Sequence, residues 1–163
     1  MKFVIDSPKY GKHTVLIDDE DFEKVKDFKW SIFTARKLYV FRNAKENGTT
    51  KVELLHRRLL NFPNGEVDHI NGDGLDNRKF NLRACTNSEN HMNRGKQKNN
   101  TSGFKGVMQY GRFGKWKAQI VVKRKNIHVG CYDTPEQAAV AYNTAALKYH
   151  GEFARLNEVT LCS

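Results

Sequence analysis

The chain has 163 residues, 39% of them hydrophobic and 28% charged, with a formal net charge of +10. This composition suits a folded soluble protein and is too apolar for intrinsic disorder, and no run approaches the roughly 20 apolar residues that a membrane span needs. The N-terminus lacks the apolar centre of a secretory signal, and three scattered cysteines (Cys85, Cys131, Cys162) without a CxxC argue against a disulfide framework or a Cys-based zinc site; an intracellular, non-secreted setting is expected.

In chain order, residues 1–60 read as short strands, "FVID", "HTVLID" and "KLYVFRNA", around an acid-led stretch, "DDEDFEKVKDFKW", suited to a helix start. Val25, Phe28 and Trp30 are expected to form a local core. "VELLHRRLLNF" has Leu54, Leu55, Leu59 and Phe62 in a roughly helical pattern that Pro63 ends. His56 within it reads as a packed or supporting histidine.

The next stretch, "VDHINGDGLDNRKFNLRACTNSENHMNR", is too polar to build a core of its own. It reads as strand, Asn-Gly turn, strand and short helix, the helix opened by the capping-box pattern Thr86–Glu89. That unit can bring Asp68 and His69 against Asn90. Asp68 and the Asn90 amide are oxygen ligands of the kind Mg²⁺ prefers, with water and phosphate completing the shell. A neutral histidine beside them can take a proton from water. These are the parts of a phosphodiester hydrolase.

Asn81 follows His69 by twelve residues and Asn90 follows Asn81 by nine. This spaced "DH…N…N", with "LLHRRLLNFPNGEVDHINGDGLDNRKFNLR" around it, resembles the HNH nuclease motif in the Asn-terminated form of phage and intron homing endonucleases. The resemblance implies that His69 is the general base, that Asp68 and Asn90 bind the metal, and that Asn81 ties two strands so that His69 is held in orientation. A histidine-poor ligand set makes Mg²⁺ or Mn²⁺ a better fit than Zn²⁺.

Residues 95–102 have linker composition, which places an N-terminal scaffold and nuclease domain at 1–94 (the motif at about 54–94) and a second domain at 103–158. Residues 95–132 carry nine basic side chains and no acid, the electrostatic footprint of a polyanion partner. Trp116, Ala118, Ile120 and Val122 alternate with Lys117, Gln119, Val121 and Lys123, which predicts half-buried strands. "TPEQAAVAYNTAALKYHG" is a helix, with Thr134 as its N-cap, Pro135 first, Gly151 beyond the end, and Ala138, Ala141, Tyr142, Ala145 and Tyr149 as its inward stripe.

"GFKGV", "GKWKAQI" and "VGCYDTPEQAAVAYNTAALKYHGEFARLN" resemble the plant AP2 DNA-binding domain. That resemblance implies a three-stranded antiparallel sheet in a DNA major groove, backed by the helix. Met108, Val121 and His128 stand where Arg or Trp would be expected to read bases. The expected DNA-facing residues are Lys105, Arg112, Lys115, Lys117, Gln119, Lys123, Arg124 and His128. The chain is thus expected to be an α+β protein: a small ββα-metal nuclease domain plus an AP2-like sheet on one helix. Its expected activity is metal-dependent cleavage of double-stranded DNA, by nicking, with neither a membrane, a small-molecule cofactor nor an oligomer required, in the cytoplasm of a bacterial host or in an organelle. A DNA-binding regulator with a decayed nuclease unit is the alternative.

Overall fold

The computed structural model describes residues 1–35, 37–111 and 114–160. The chain divides into two compact units, Met1–Asn90 and His91–Ser163, each with its own apolar core.

In the first unit, β1 (Lys2–Ser7) and β2 (Gly11–Leu16) form a hairpin. β3 (Ser31–Thr34), β4 (Leu38–Glu46) and β5 (Thr49–Leu54) form an antiparallel sheet in that order. The acid-led stretch makes only a 3₁₀ turn, Asp19–Lys24, instead of an α-helix. Its leading residue, Asp18, caps nothing locally, because its carboxylate accepts from the backbone N–H of Lys79 at 2.7 Å. Val25 and Trp30 are buried in the core with Val15, Ile17, Val40 and Leu59, and Phe28 packs against it. Arg42 and Arg58 both lie over the Phe28 ring, 3.9 and 4.4 Å from its centre, and both pair with Glu53.

The helical pattern at "VELLHRRLLNF" is shorter than the sequence suggests. Its first residues close β5, leaving α1 as Leu55–Leu59, and left-handed backbone at Asn61 and Phe62 stops it before Pro63. Then come β6 (Glu66–His69), its antiparallel partner β7 (Leu82–Cys85) and α2 (Asn87–Met92). Thr86 and Glu89 bond each other reciprocally at the start of α2, as a capping box does.

In the second unit, β8 (Val107–Tyr110), β9 (Lys115–Val122) and β10 (Lys125–Tyr132) form an antiparallel sheet in the order β10-β9-β8, with α3 (Pro135–His150) packed on one face. Ala118 and Ile120 turn toward α3, as strand alternation requires. The helix has the full capping box from Thr134 and Gln137. Its buried stripe is Ala138, Ala139, Tyr142, Ala145 and Ala146, a face rotated from the expected one. Tyr149 is 40% exposed in the last turn, with Lys148 over its ring; His150 anchors that turn instead, its Nε2 2.8 Å from the Val121 carbonyl. The close fit of α3 shows at Gly106, at φ 74°, where any Cβ would collide with the Tyr142 ring and the Gln119 carbonyl. The β9–β10 turn runs through Lys123 and Arg124, both left-handed at φ 48° and 63°.

Candidate functional site

β6 and β7 hold the segment that the sequence singles out. Neighbouring strand residues leave on opposite sides, so Asp68 and His69 flank the end of β6. On one side, Glu66 and Asp68 share a face. The Glu66 carboxylate accepts from the Asn87 amide at 2.9 Å and from the Asn90 amide, which brings Asn90 to that face. Asp68 pairs with Arg83, its register partner on β7, at 2.8 Å. Arg83 is therefore an internal partner of the carboxylate, and Arg78 and Lys79 likewise pair within the unit, with Asp76 and Glu20.

On the other side, His69 is buried beside His56 and Tyr39. The two histidine rings meet edge-on with centroids 4.9 Å apart, and Tyr39 lies 5.9 Å from His69 and 6.0 Å from His56. His56 is buried and its Nδ1 has no hydrogen-bond partner. Burial, with His69 and Arg57 adding to it, depresses its pKa to about 3, so it is neutral. Burial also lowers the pKa of His69, countered in part by the Asn77 hydrogen bond and by Asp68. At neutral pH His69 is therefore a proton acceptor.

The loop between the strands is tied at both ends. Asn81 accepts from the Asn71 backbone N–H at 2.9 Å and donates to the Asp76 carbonyl at 2.7 Å and the Asn71 side chain at 3.0 Å, while its own carbonyl accepts from Ile70. Asn81 thus fastens the loop that follows His69. The amide that meets the imidazole itself is that of Asn77, with Oδ1 3.3 Å from His69 Nε2. Leu16, at the end of β2, bonds both Leu75 and Asn77 through its backbone. The N-terminal hairpin thus supports the loop beside His69. Glu66, Asn77 and Tyr39 are the residues sequence reasoning passed over, whereas His56 is packed against His69, as its reading as a packed or supporting histidine expects. Strand alternation from Asp68 points to Glu66, whereas Asn77 is one of several asparagines and nothing local marks it.

On this face Asp68 and Glu66 present carboxylate oxygens, of the kind a hard divalent cation prefers; Asp68 is held by Arg83, and Glu66 by the NH₂ groups of Asn87 and Asn90. No three His, Cys, Asp or Glu side chains are placed to hold a metal among the described residues.

In the second unit the sheet face away from α3 presents Lys117 beside Met108 and Cys131, Gln119 opposite His128, and Val121 opposite Asn126. Lys117 sits 5.7 Å above the Tyr110 ring, and His128 Nε2 lies 3.9 Å from the Cys131 sulfur. Lys123 and Arg124 stand at the turn. Lys115 is paired with Asp133. Lys105 is not on this face: its ammonium donates to the Met92 carbonyl, its backbone N–H and carbonyl both bond Asn157, and burial lowers its pKa to about 8. Arg112 lies outside the described residues.

A two-stranded ribbon with an Asp-His pair at its end, followed by a short capped helix, defines a small nuclease-type unit; a basic three-stranded sheet on one helix defines a separate binding unit. The family model described as HNH endonuclease matches residues 61–92. Protein 3.8 of Escherichia phage T7 is 34% identical over 89 residues, covering 55% of this chain and 73% of that protein. An HNH endonuclease of Acanthamoeba polyphaga mimivirus is 36% identical over 93 residues, covering 57% of this chain and 47% of that protein. An AP2-like ethylene-responsive transcription factor of Arabidopsis thaliana is 32% identical over 106 residues, covering 63% of this chain and 28% of that protein. No solved structure matches the chain. The chain belongs to the HNH endonuclease family and carries an AP2-like second domain. No helix among the described residues is long and apolar enough to cross a membrane.

Proposed function

We propose that the protein is a divalent-metal-dependent endonuclease that hydrolyses one strand of duplex DNA at the end of β6, with the second unit supplying affinity. The observation that carries this reading is the split at β6: a carboxylate face with Asp68 and Glu66, the Asn90 amide beside Glu66, on one side, and a neutral, buried imidazole on the other. In the reaction a water oxygen bonds to phosphorus and the phosphorus–oxygen bond to the leaving group breaks. His69 takes the proton from that water, and the leaving oxygen picks up one from solvent. A metal held by Asp68 and Asn90, most simply Mg²⁺ or Mn²⁺, would supply charge stabilisation for the phosphate and the leaving oxygen. Asn81 holds the loop that follows His69, and Arg83 holds the Asp68 carboxylate in place.

The exposed sheet face, with Lys117, Gln119, Lys123, Arg124 and His128, is the reading's DNA contact; Lys105 belongs to the fold of its unit. B-form DNA admits a strand ribbon in its major groove, whereas the deep, narrow groove of A-form RNA does not. An intracellular location, in a bacterial host or an organelle, goes with that substrate. The test is His69→Ala in a plasmid-nicking assay with Mg²⁺. Cleavage should fall by about 10²–10⁴-fold while duplex affinity stays near wild type, and Asp68→Ala should raise the Mg²⁺ concentration needed. Undiminished cutting by the His69 variant sinks the assignment.

A further inference from the structure

Asn77 is fully buried, so each end of its amide must find a partner or cost stability. Its backbone N–H is fixed to the Leu16 carbonyl at 2.8 Å. Its side-chain Nδ2 donates to the Gly74 carbonyl at 3.2 Å. That carbonyl is itself well placed, because Gly74 is seated against β4 so closely that a Cβ there would strike the Leu38 carbonyl and the Tyr39 ring. A carbonyl can only accept, so the NH₂ end of the amide belongs at Gly74 and the oxygen end belongs at His69. The 3.3 Å contact between Asn77 Oδ1 and His69 Nε2 is then a hydrogen bond that the imidazole donates.

We propose that Asn77 is a positioning residue that fixes the His69 imidazole with its proton on Nε2, so that Nδ1 is the nitrogen that receives the proton in the reaction. This rests on the reading of His69 as the base. In a neutral imidazole one nitrogen carries hydrogen and the other accepts; which is which follows from the bond the first one makes. The proton leaves the attacking water and ends on Nδ1, while Nε2 keeps its own. The imidazolium so formed still donates to Asn77 Oδ1, and that bond strengthens as charge develops on the ring. The edge-on ring of His56 and the ring of Tyr39 also pack against His69.

The decisive measurement is the tautomer itself, read by ¹H–¹⁵N correlation of the imidazole resonances in the full-length wild-type protein without metal, at a pH where His69 is neutral. His69 is assigned by its absence from the His69→Gln spectrum. The expected result is the Nε2–H form. Asn77→Leu, close to Asn77 in shape but without the acceptor, should give a mixture of tautomers. It should also lower kcat by about 10- to 10³-fold, within the range for a base left in the wrong tautomer, with KM changed less than about twofold. A wild-type His69 in the Nδ1–H form overturns the proposal without needing any variant to fold. So does a folded Asn77→Leu protein with unchanged tautomer and kcat. Continued cutting by His69→Ala overturns the base assignment instead, so the two failures are distinguishable.

Discussion

His56 is an apolar-pocket histidine that the chain keeps neutral at a cost set by pH. Its folded pKa of about 3 lies below the ordinary 6.5, so between those values the unfolded chain binds a proton that the folded one does not. The stability tied to His56 is intact above about pH 6.5 and is lost as the pH falls below it, by at most about 1.4 kcal/mol per unit. Thermal melts of wild type and His56→Phe between pH 7.5 and 5 check this: the wild-type melting temperature should fall more steeply. Parallel curves would mean that His56 is not the group responsible. The residue carries no motif of its own in "LLHRRLL"; only the meeting of α1, β4 and β6 gives it a neighbour to act through.

Among the elements, α3 and the ribbon β6–β7 were legible because their signals are local. A capping box at Thr134 and Gln137, a proline behind it and an alternating strand need only near neighbours to take effect. The 3₁₀ turn at Asp19–Lys24 was not legible, since the carboxylate that would cap a helix is bound by Lys79, about sixty residues on. The same holds for the site. The spacing of Asp68, His69, Asn81 and Asn90 is visible in sequence, but the Asn77 contact depends on β2 and β4 holding the loop, and the inward turn of Lys105 depends on Met92 and Asn157. At this scale Gly106 offers a sharp test. Gly106→Ala forces a methyl group into the Tyr142 ring at a left-handed position and should destabilise the second unit by roughly 3 kcal/mol. Chemical denaturation followed by Trp116 fluorescence measures it. A loss below about 1 kcal/mol would show that α3 can move away from β8 at little cost.

For the whole molecule the notable quantity is where the +10 charge lies. In the first unit arginines and lysines are largely consumed in pairs: Arg42 and Arg58 with Glu53, Arg83 with Asp68, Arg78 with Asp76. The acid-free block of the second unit has fewer such sinks, Lys115 with Asp133 among them. Salt dependence of duplex binding should therefore come mainly from this block, each phosphate-neutralising cation adding about one unit to the slope of log affinity against log salt.

The turn through Lys123 and Arg124 sets two of those cations against the fold that carries them. Both residues hold a left-handed backbone that asparagine and glycine adopt at far less cost. The pair Lys123→Asn and Arg124→Gly should accordingly raise the stability of the second unit by about 1–2 kcal/mol while flattening the salt slope by about two. Melting curves and a salt titration on one protein preparation read both numbers. A gain in stability with no change in slope would detach this turn from DNA. The expected opposite movement of the two makes the hairpin tip a place where the protein exchanges thermal resilience for grip, so a version selected only for heat tolerance would drift toward Asn-Gly and release its target more readily in salt.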